Sequence, residues 1–479
     1  MAFLSQFFGY LNAVTWGWAL VPLLVVIGIY VTLITRFVQF RYFGRMWVLA
    51  IPRKGQTPAG QISGWDALMI SVGGRVGGGN LAGVAVAITM GGPGAVFWMW
   101  AIALVGMATS LVECTLAQTF KRCNADGTFR GGPAAYIRHG LGSHYRWLIW
   151  LYSFCLLASF GFGFNAFQGN TIATAVNDSL GISPFMTALV IGPIAALIVF
   201  GGLRRIARAS DAIVPLMCLL YLSMALMVIV MNIDQLPRVF GMIVANALGW
   251  EEAVSGGMGA AIAAGFKRGL FSNEAGLGSA PNIAATADVK HPVSQGIIQS
   301  LSVFIDTLVI CSCTAFIILL SPAYQPNAEI TGAALVQQSL AAHFGGWAQY
   351  LLTCLIFLFS LSSIIYNYYL GETAMAEFSQ SKKATMVLRV LVVACVMLGA
   401  AAPSATTVFF FSDPLMGLLA LVNLMVIMSL LPVVLRLLRD YRAQLAAGEK
   451  EPRFNPDQFA DLDVDRRAWR SPTVKKNEG

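Results

Sequence analysis

Charge is the scarcest resource in this 479-residue sequence: 11% of its residues are Asp, Glu, Lys or Arg, against about 25% in soluble domains. With 57% hydrophobic residues, that scarcity excludes an ordinary soluble fold and points to an all-α, polytopic membrane protein. Histidine is nearly absent, and His139, His144, His291 and His343 all fall between apolar runs. The eight cysteines are scattered, mostly within apolar runs (Cys155, Cys218, Cys311, Cys313, Cys354, Cys395), and form neither a CxxC pair nor a Cys/His cluster. The pattern gives no zinc site and no disulfide framework, and the cysteines read as small buried hydrophobes. No nucleophile stands beside a base in a convincing context, so an enzyme is not expected. Met1 to Trp16 lacks the basic region and cleavage site of a signal peptide. The net charge of +8 does not indicate nucleic acid, because the basic residues form short clusters between apolar runs.

About eleven runs approach the roughly 20 residues a spanning helix needs: 17–36, 66–90, 93–118, 146–176, 185–203, 211–232, 253–284, 293–321, 346–378, 385–402 and 412–436. An amphipathic stretch, 235–250, precedes the seventh. Basic residues follow the odd-numbered runs: Arg41, Arg45, Arg53 and Lys54; Lys121, Arg122, Arg130 and Arg138; Arg204, Arg205 and Arg208; Lys290; Lys382 and Lys383; Arg436, Arg439 and Arg442. The alternate loops 91–92, 177–184, 322–345 and 403–411 contain no Lys or Arg. Positive charge collects on the cytoplasmic side, which places the amino terminus outside and the carboxyl terminus inside. The transporter domain is expected to span 1–438, with a disordered cytoplasmic tail over 439–479.

The second run is interrupted by Ser71-Val-Gly-Gly-Arg-Val-Gly-Gly-Gly-Asn80, with five glycines between Gly73 and Gly79. Each costs about 1 kcal/mol against alanine in a helix interior. Unwound backbone at membrane depth is tolerated only where protein or a water-filled cavity satisfies it, so the break predicts a binding site. The seventh run is interrupted in the same way, reading Ser255-Gly-Gly-Met-Gly259 and then Gly265-Phe-Lys-Arg-Gly-Leu-Phe-Ser-Asn-Glu-Ala-Gly-Leu-Gly-Ser279. The first break opens a five-run set (66–232) from the cytoplasm, and the second opens another (253–436) from outside. Two such sets of opposite orientation are the topology of an inverted-repeat secondary transporter, with 17–36 as an extra helix.

At the first break, freed N–H groups of Gly77, Gly78 and Gly79 at a half-helix start favour an anion such as a carboxylate, and Asn80 can donate or accept. Close packing through small residues is the bland alternative. Gly77-x-Gly79-x-x-Ala82 fits a dinucleotide fingerprint but lacks its strand context and its later acid, and is rejected. Upstream carbonyls at Gly73 and Val76 could take a hard cation with Ser362 and Ser363 of the ninth run, although those hydroxyls could equally bond back to their own helix. Gln168 could reach a substrate or bridge two helices. Arg75, Lys267, Arg268, Glu274 and Asp306 are ionisable groups at membrane depth and hence functional candidates; an Arg75–Glu274 pair would neutralise both, and Asp306 could be a cation or proton site or a paired structural acid. Asp66, in Ser63-x-x-Asp66, reads as a helix cap. Glu113, Glu372 and Glu377 read as ordinary residues toward cytoplasmic helix ends.

Three stretches resemble the alanine/glycine:cation symporter family, also called sodium:alanine symporters: Gly73 to Asn80, Gly91-Gly-Pro-Gly-Ala-Val-Phe-Trp-Met-Trp-Ala-Ile-Ala-Leu-Val-Gly106, and Gly265 to Pro281. The resemblance covers roughly 15–440. It implies the LeuT-type five-plus-five inverted repeat with one added helix, and sodium-driven import of alanine or glycine across a bacterial inner membrane. It implies that Gly77, Gly78, Gly79 and Asn80 hold the substrate carboxylate, with Gln168 helping. Phe271, Ser272, Asn273, Glu274 and Gly276 would line the site from the second break, and Gly73, Val76, Ser362 and Ser363 would bind sodium. No cofactor, nucleic acid or obligate protein partner is implied; sodium, a small amino acid and the bilayer are. Two departures bear on selectivity: many members have threonine where Gly78 stands, and some have tryptophan near Asn367. Proton coupling through Asp306 or Glu274, and less so a channel, are the alternatives.

Overall fold

The computed structural model describes residues 2–51, 61–201, 203–249, 257–325, 330, 332–402 and 405–469. Arg53, Lys54, the 253–256 opening of the seventh run and the last ten residues of the tail lie outside them. The helices relevant to the site are α1 (Gln6–Ile34), α2 (Gly64–Arg75), α3 (Gly79–Gly91), α4 (Gly94–Thr119), α5 (Ser143–Leu180), α6 (Pro184–Val199) and α7 (Leu203–Met231). They continue with α8 (Leu236–Leu248), α9 (Gly257–Asn273), α10 (Ala280–Ala284), α11 (Pro292–Leu319), α12 (Gly332–Phe344) and α13 (Trp347–Phe378). The last are α14 (Lys382–Ala401), α15 (Ala405–Ser429) and α16 (Leu431–Ala446). A two-stranded hairpin, β1 (Arg122–Cys123) with β2 (Phe129–Arg130), follows α4.

Among the described residues, eight helical stretches are long and apolar enough to cross a bilayer: α1, α4, α5, Ser210–Met231 of α7, α11, α13, α14 and Ser412–Ser429 of α15. The other three expected runs fall short for physical reasons. α6 has only 16 residues. The two interrupted runs divide into α2 with α3 and α9 with α10, and their halves are individually short.

Both interruptions have local causes. α2 begins in a reciprocal cap, as Ser63-x-x-Asp66 suggests: Ser63 Oγ accepts from the Asp66 N–H at 3.1 Å, and Asp66 Oδ2 accepts from the Ser63 N–H at 2.8 Å. It ends at Val76, whose ψ of 85° leaves the helical region. α9 ends where Glu274 takes a φ of 52°, and Gly276 and Gly278 follow at +82° and +84°. Left-handed backbone is free for glycine but unusual for glutamate.

Between the breaks the helices pack closely. α4 lies against α9 and α11, and α5 against α13 and α14. A Cβ on Gly169 would fall 2.2 Å from the Val396 carbonyl, and one on Gly399 would fall 2.0 Å from that of Ala166. Small residues thus set the distance between α5 and α14. Among the described residues five helical stretches widen to π geometry: Ala13–Leu20, Gly79–Gly83, Ile137–Leu141, Leu157–Phe164 and Phe304–Cys311. Each extra backbone residue rotates the side chains that follow, and such widenings cluster at functional sites.

Two expectations are corrected. The stretch 322–345, expected as a loop, contains α12, which packs on the Gly79–Gly83 turn. The tail is not disordered through residue 469. α16 continues the chain past 439, and the following segment folds back over the ends of α4 and α11. Phe454, Phe459 and Ala468 are buried there. The Phe454 N–H donates to the Lys290 carbonyl at 2.9 Å, and the Phe454 ring meets Trp469 at 4.9 Å between centroids. Arg122 pairs with Asp463 at 2.8 Å, and Arg436 holds Asp461 through both guanidinium nitrogens at 2.5 and 2.8 Å. Composition suggested disorder because few large apolar residues lie there; those few are the anchors.

Candidate functional site

The first break begins at a corner between α2 and α13. Ser362 and Ser363 on α13 face the last turn of α2. Ser362 Oγ donates to the Gly73 carbonyl at 2.7 Å and Ser363 Oγ to that of Gly74 at 3.1 Å. All are buried, as is Val76. The hydroxyls also reach the Phe359 carbonyl on their own helix, at 2.8 and 3.1 Å, as the back-bonding reading of the serines has it. A hydroxyl that donates to a carbonyl can rotate and set a lone pair beside it. The corner can therefore offer a hard cation several oxygens at once.

The glycines here are required by close approach. A Cβ on Gly77 would lie 2.4 Å from Ser363 Oγ, and one on Gly74 would enter the Tyr366 ring at 2.2 Å. A Cβ on Gly78 would meet Thr171 at 2.7 Å.

A small cavity opens beside this corner. Six expected residues line it: Gly77, Gly79, Gln168, Phe271, Ser272 and Glu274. Gln168 Oε1 accepts from the Gly78 N–H at 3.4 Å. Gly74, Phe160, Phe164 and Met416 also line it, and nothing in their residue types announces that. Arg75 and Asn367 complete the wall.

Four expected site residues are placed otherwise. Asn80 is fully buried behind the break: its Oδ1 accepts from the Gly77 N–H at 3.1 Å and its Nδ2 donates to Asp306 Oδ1 at 2.6 Å. Gly78 sits behind Gly77 against Thr171. Asn273 folds back, Oδ1 taking the Ala275 N–H at 3.0 Å. The Gly276 N–H donates to Glu113 Oε1 at 3.1 Å, and its carbonyl accepts from Asn423 Nδ2 at 2.9 Å.

Glu113 is the residue supporting the second break that sequence reasoning passed over. It is fully buried, and its two oxygens take the N–H groups of Gly276 and Gly278 and the amide of Asn423. It satisfies the unwound backbone of the second break. Its spacing from Gly276 is 163 residues, so only a carboxylate at membrane depth could have signalled it.

Arg75 and Glu274 do not pair. Arg75 Nη1 donates to Ser302, and its Nε and Nη2 are buried without a partner. Glu274 Oε2 accepts from Tyr366 at 3.0 Å and from Ser279. The Arg75 charge acts on three buried carboxylates, Glu113, Glu274 and Asp306.

Broken helices around a lined cavity, on a scaffold of helices apolar enough to cross a bilayer, are the features of a multi-pass membrane transporter. The model of the sodium:alanine symporter family matches residues 1–456, and the chain belongs to that family. It is 44% identical over 456 residues to the probable sodium/glutamine symporter GlnT of Bacillus subtilis, covering 95% of this chain and 94% of that one. It is 35% identical over 431 residues to the sodium/alanine symporter AgcS of Methanococcus maripaludis, covering 88% and 94%. Among solved structures, a Na⁺-coupled sialic acid symporter superposes with a TM-score of 0.50 at 14% identity, covering 82% of each chain. A manganese transporter of Eremococcus coleocola does so with a TM-score of 0.50 at 15%, covering 81% and 80%. The fold is that of membrane transporters.

Proposed function

We propose that this protein imports a small neutral amino acid, alanine or glycine, by sodium symport with alternating access in a bacterial inner membrane. In this reading the eleven runs form a LeuT-type five-plus-five repeat with one extra helix, the amino terminus outside and the carboxyl terminus inside. The observation that carries it is the corner where Ser362 and Ser363 meet the freed carbonyls of Gly73 and Gly74, directly beside the lined cavity. Sodium sits at that corner. The substrate carboxylate lies against the backbone at Gly77 and Gly79 with Gln168, and its ammonium faces Glu274 and the carbonyls of the second break. Sodium at the corner and the substrate carboxylate beside it carry opposite charges, so each strengthens the other's binding, and that reciprocity is the coupling. One sodium moving inward at 100 mV supplies about 2.3 kcal/mol. Phe160, Phe164, Phe271 and Met416 bound the side-chain space, so size sets selectivity.

Glutamine is the second reading, favoured by the Asn367 amide in the cavity wall and by the name of the Bacillus subtilis relative. Competition decides between them: unlabelled alanine and glycine should suppress sodium-driven uptake of labelled alanine, with glutamine weaker. Strong suppression by glutamine, with weak alanine uptake, would move the assignment. Gln168→Ala, stably inserted, should lose alanine binding; binding like the parent's would contradict the placement of the substrate.

A further inference from the structure

The half-helix α2 is tied down at its start. Gln61 Nε2 donates to the Gly127 carbonyl, in the turn of the β1–β2 hairpin, at 2.7 Å. Ile62 pairs with Ala287 in a single parallel β-bridge, and the Asp288 N–H donates to the Ile62 carbonyl at 2.8 Å. The Ser63 cap follows directly. Two elements therefore hold the entry to α2: the hairpin, and the stretch 285–291 after α10.

The carboxyl-terminal segment grips both. On the hairpin, Asp465 Oδ2 accepts from the Cys123 N–H at 3.1 Å, and Arg122 donates to the Asp463 carbonyl at 2.9 Å. On the other element, the Phe454 N–H donates to the Lys290 carbonyl. Lys121 stands between them. Its ammonium donates at 2.9 Å to the carbonyl of Ala287, the residue bridged to Ile62. It is enclosed by the rings of Phe129 and Trp469, whose centres lie 4.2 and 4.3 Å away. An ammonium held against ring faces gains most when water is excluded. Loss of Trp469 lets water reach Lys121 and weakens its hold on Ala287. A chain of direct contacts thus runs from Trp469 through Lys121, Ala287 and Ile62 to α2.

The far end of α2 is the break at Val76, where the backbone leaves the helical region. A short helix pinned at its entry and unwound at its exit has a hinge at the exit. We propose that the segment from Glu449 to Trp469 is a latch on α2. Docked, it fixes the entry of α2 through the hairpin and Ala287; undocked, it frees α2 to swing about Val76. Docking biases a two-state element, so whatever loosens the segment favours the swung state. The inference rests on alternating access, since it assigns this swing to that cycle.

Ser71 supplies the reporter. It is fully buried on α2, and its Oγ has no partner among the described residues, so Ser71→Cys fits the same space. In the full-length chain, Trp469→Ala should speed modification of Ser71→Cys by a hydrophilic maleimide about tenfold, the effect of about 1.4 kcal/mol on the docking equilibrium. Mass spectrometry of the α2 peptide reads the rate. Trp469→Phe keeps a ring over Lys121 and should stay near the parent's rate. A second variant works in the opposite sense. Asp465→Cys, oxidised onto the native Cys123, locks the segment down; alanine uptake in proteoliposomes should fall severalfold and return on reduction, while the parent ignores both treatments. Labelling at the parent's rate in Trp469→Ala, or uptake undiminished by the cross-link, would each overturn the latch. The labelling needs no transport, so a parent that takes up no amino acid under a sodium gradient would overturn the import reading alone.

Discussion

Asp306 accepts a hydrogen bond from Asn80 at 2.6 Å, and its other oxygen accepts from Ser272 at 2.7 Å. Asn80 belongs to the first break and Ser272 to the last turn before the second. One carboxylate, carried on a π-helical stretch of α11, therefore ties the two interruptions together.

The first prediction follows from that tie. Asp306→Ala leaves the donors of Asn80, Ser272 and Thr307 without their acceptor, at a cost of about 1–3 kcal/mol for a buried donor left unsatisfied. Melting temperature in detergent and alanine uptake should fall together, and Asp306→Asn should lose less of both. If Asp306 instead carried a coupling proton, the Asn variant would lose uptake with its melting temperature intact.

The glycines of the first break are not equivalent. Gly74→Ala drives a methyl into the Tyr366 ring, whose hydroxyl holds Glu274 at 3.0 Å. Overpacking of this kind costs about 1–3 kcal/mol or more, and here it also displaces a cavity wall, so uptake should be lost. Gly83→Ala meets nothing closer than Arg268 Cδ at 3.8 Å and removes a helix-interior glycine, so stability should hold or rise by up to about 1 kcal/mol. Thermal melting and uptake of the two variants side by side check this.

The serines should govern sodium rather than the amino acid directly. Ser362→Ala and Ser363→Ala each remove one oxygen from the corner with the Gly73 and Gly74 carbonyls. An interaction of about 1.4 kcal/mol is a factor of ten, so the sodium concentration for half-maximal uptake should rise about tenfold in each. Linkage requires alanine affinity to weaken at fixed, subsaturating sodium and recover at high sodium. Sodium titrations of alanine binding measure both effects.

The docked tail should respond to pH in two windows. Lys121 is fully buried, donates to the Ala287 carbonyl at 2.9 Å, and lies 4.3 Å from the centre of the Trp469 ring. Burial pulls it down to about 7 against the opposing pull of Asp288. The docked state then binds fewer protons than an undocked, wetted lysine between about pH 7 and its free value, so docking strengthens as pH rises through that range. At the acid end, the Arg436 hydrogen bonds hold Asp461 below its usual range. Burial pushes Asp463 up, but Arg122 and His139 more than offset it and hold it low as well. Their contribution is present above the ordinary carboxylate range and is lost as pH falls below about 4. Limited proteolysis after Gly448 should therefore slow from pH 7 to 9, and Lys121→Met should flatten that trend.

Much of the site was legible where chemistry and position conflict. Glycines inside an apolar run marked the break at Val76–Gly78, and Ser63-x-x-Asp66 marked the start of α2. The serine pair was readable because two hydroxyls stood at membrane depth opposite freed carbonyls. Other features had no such conflict. Phe160, Phe164 and Met416 line the cavity but look like any residues facing lipid. Asn80 has the chemistry of a substrate ligand, yet its bonds to Gly77 and Asp306 turn it inward; one polar side chain at a break cannot declare which way it points. Glu113 and Asn423 close the second break from distant segments, so pairing them needed the fold. Composition misjudges the tail because Phe454, Phe459 and Trp469, with Asp461 and Asp463 set against Arg436 and Arg122, suffice to dock it.

The most direct test of the central claim is alanine uptake into proteoliposomes under an inward sodium gradient, against an equal potassium gradient, at fixed pH and membrane potential. Saturable accumulation with sodium and none with potassium is the predicted result. Equal accumulation under both, or uptake that follows pH and ignores sodium, would contradict sodium coupling at the Ser362–Ser363 corner.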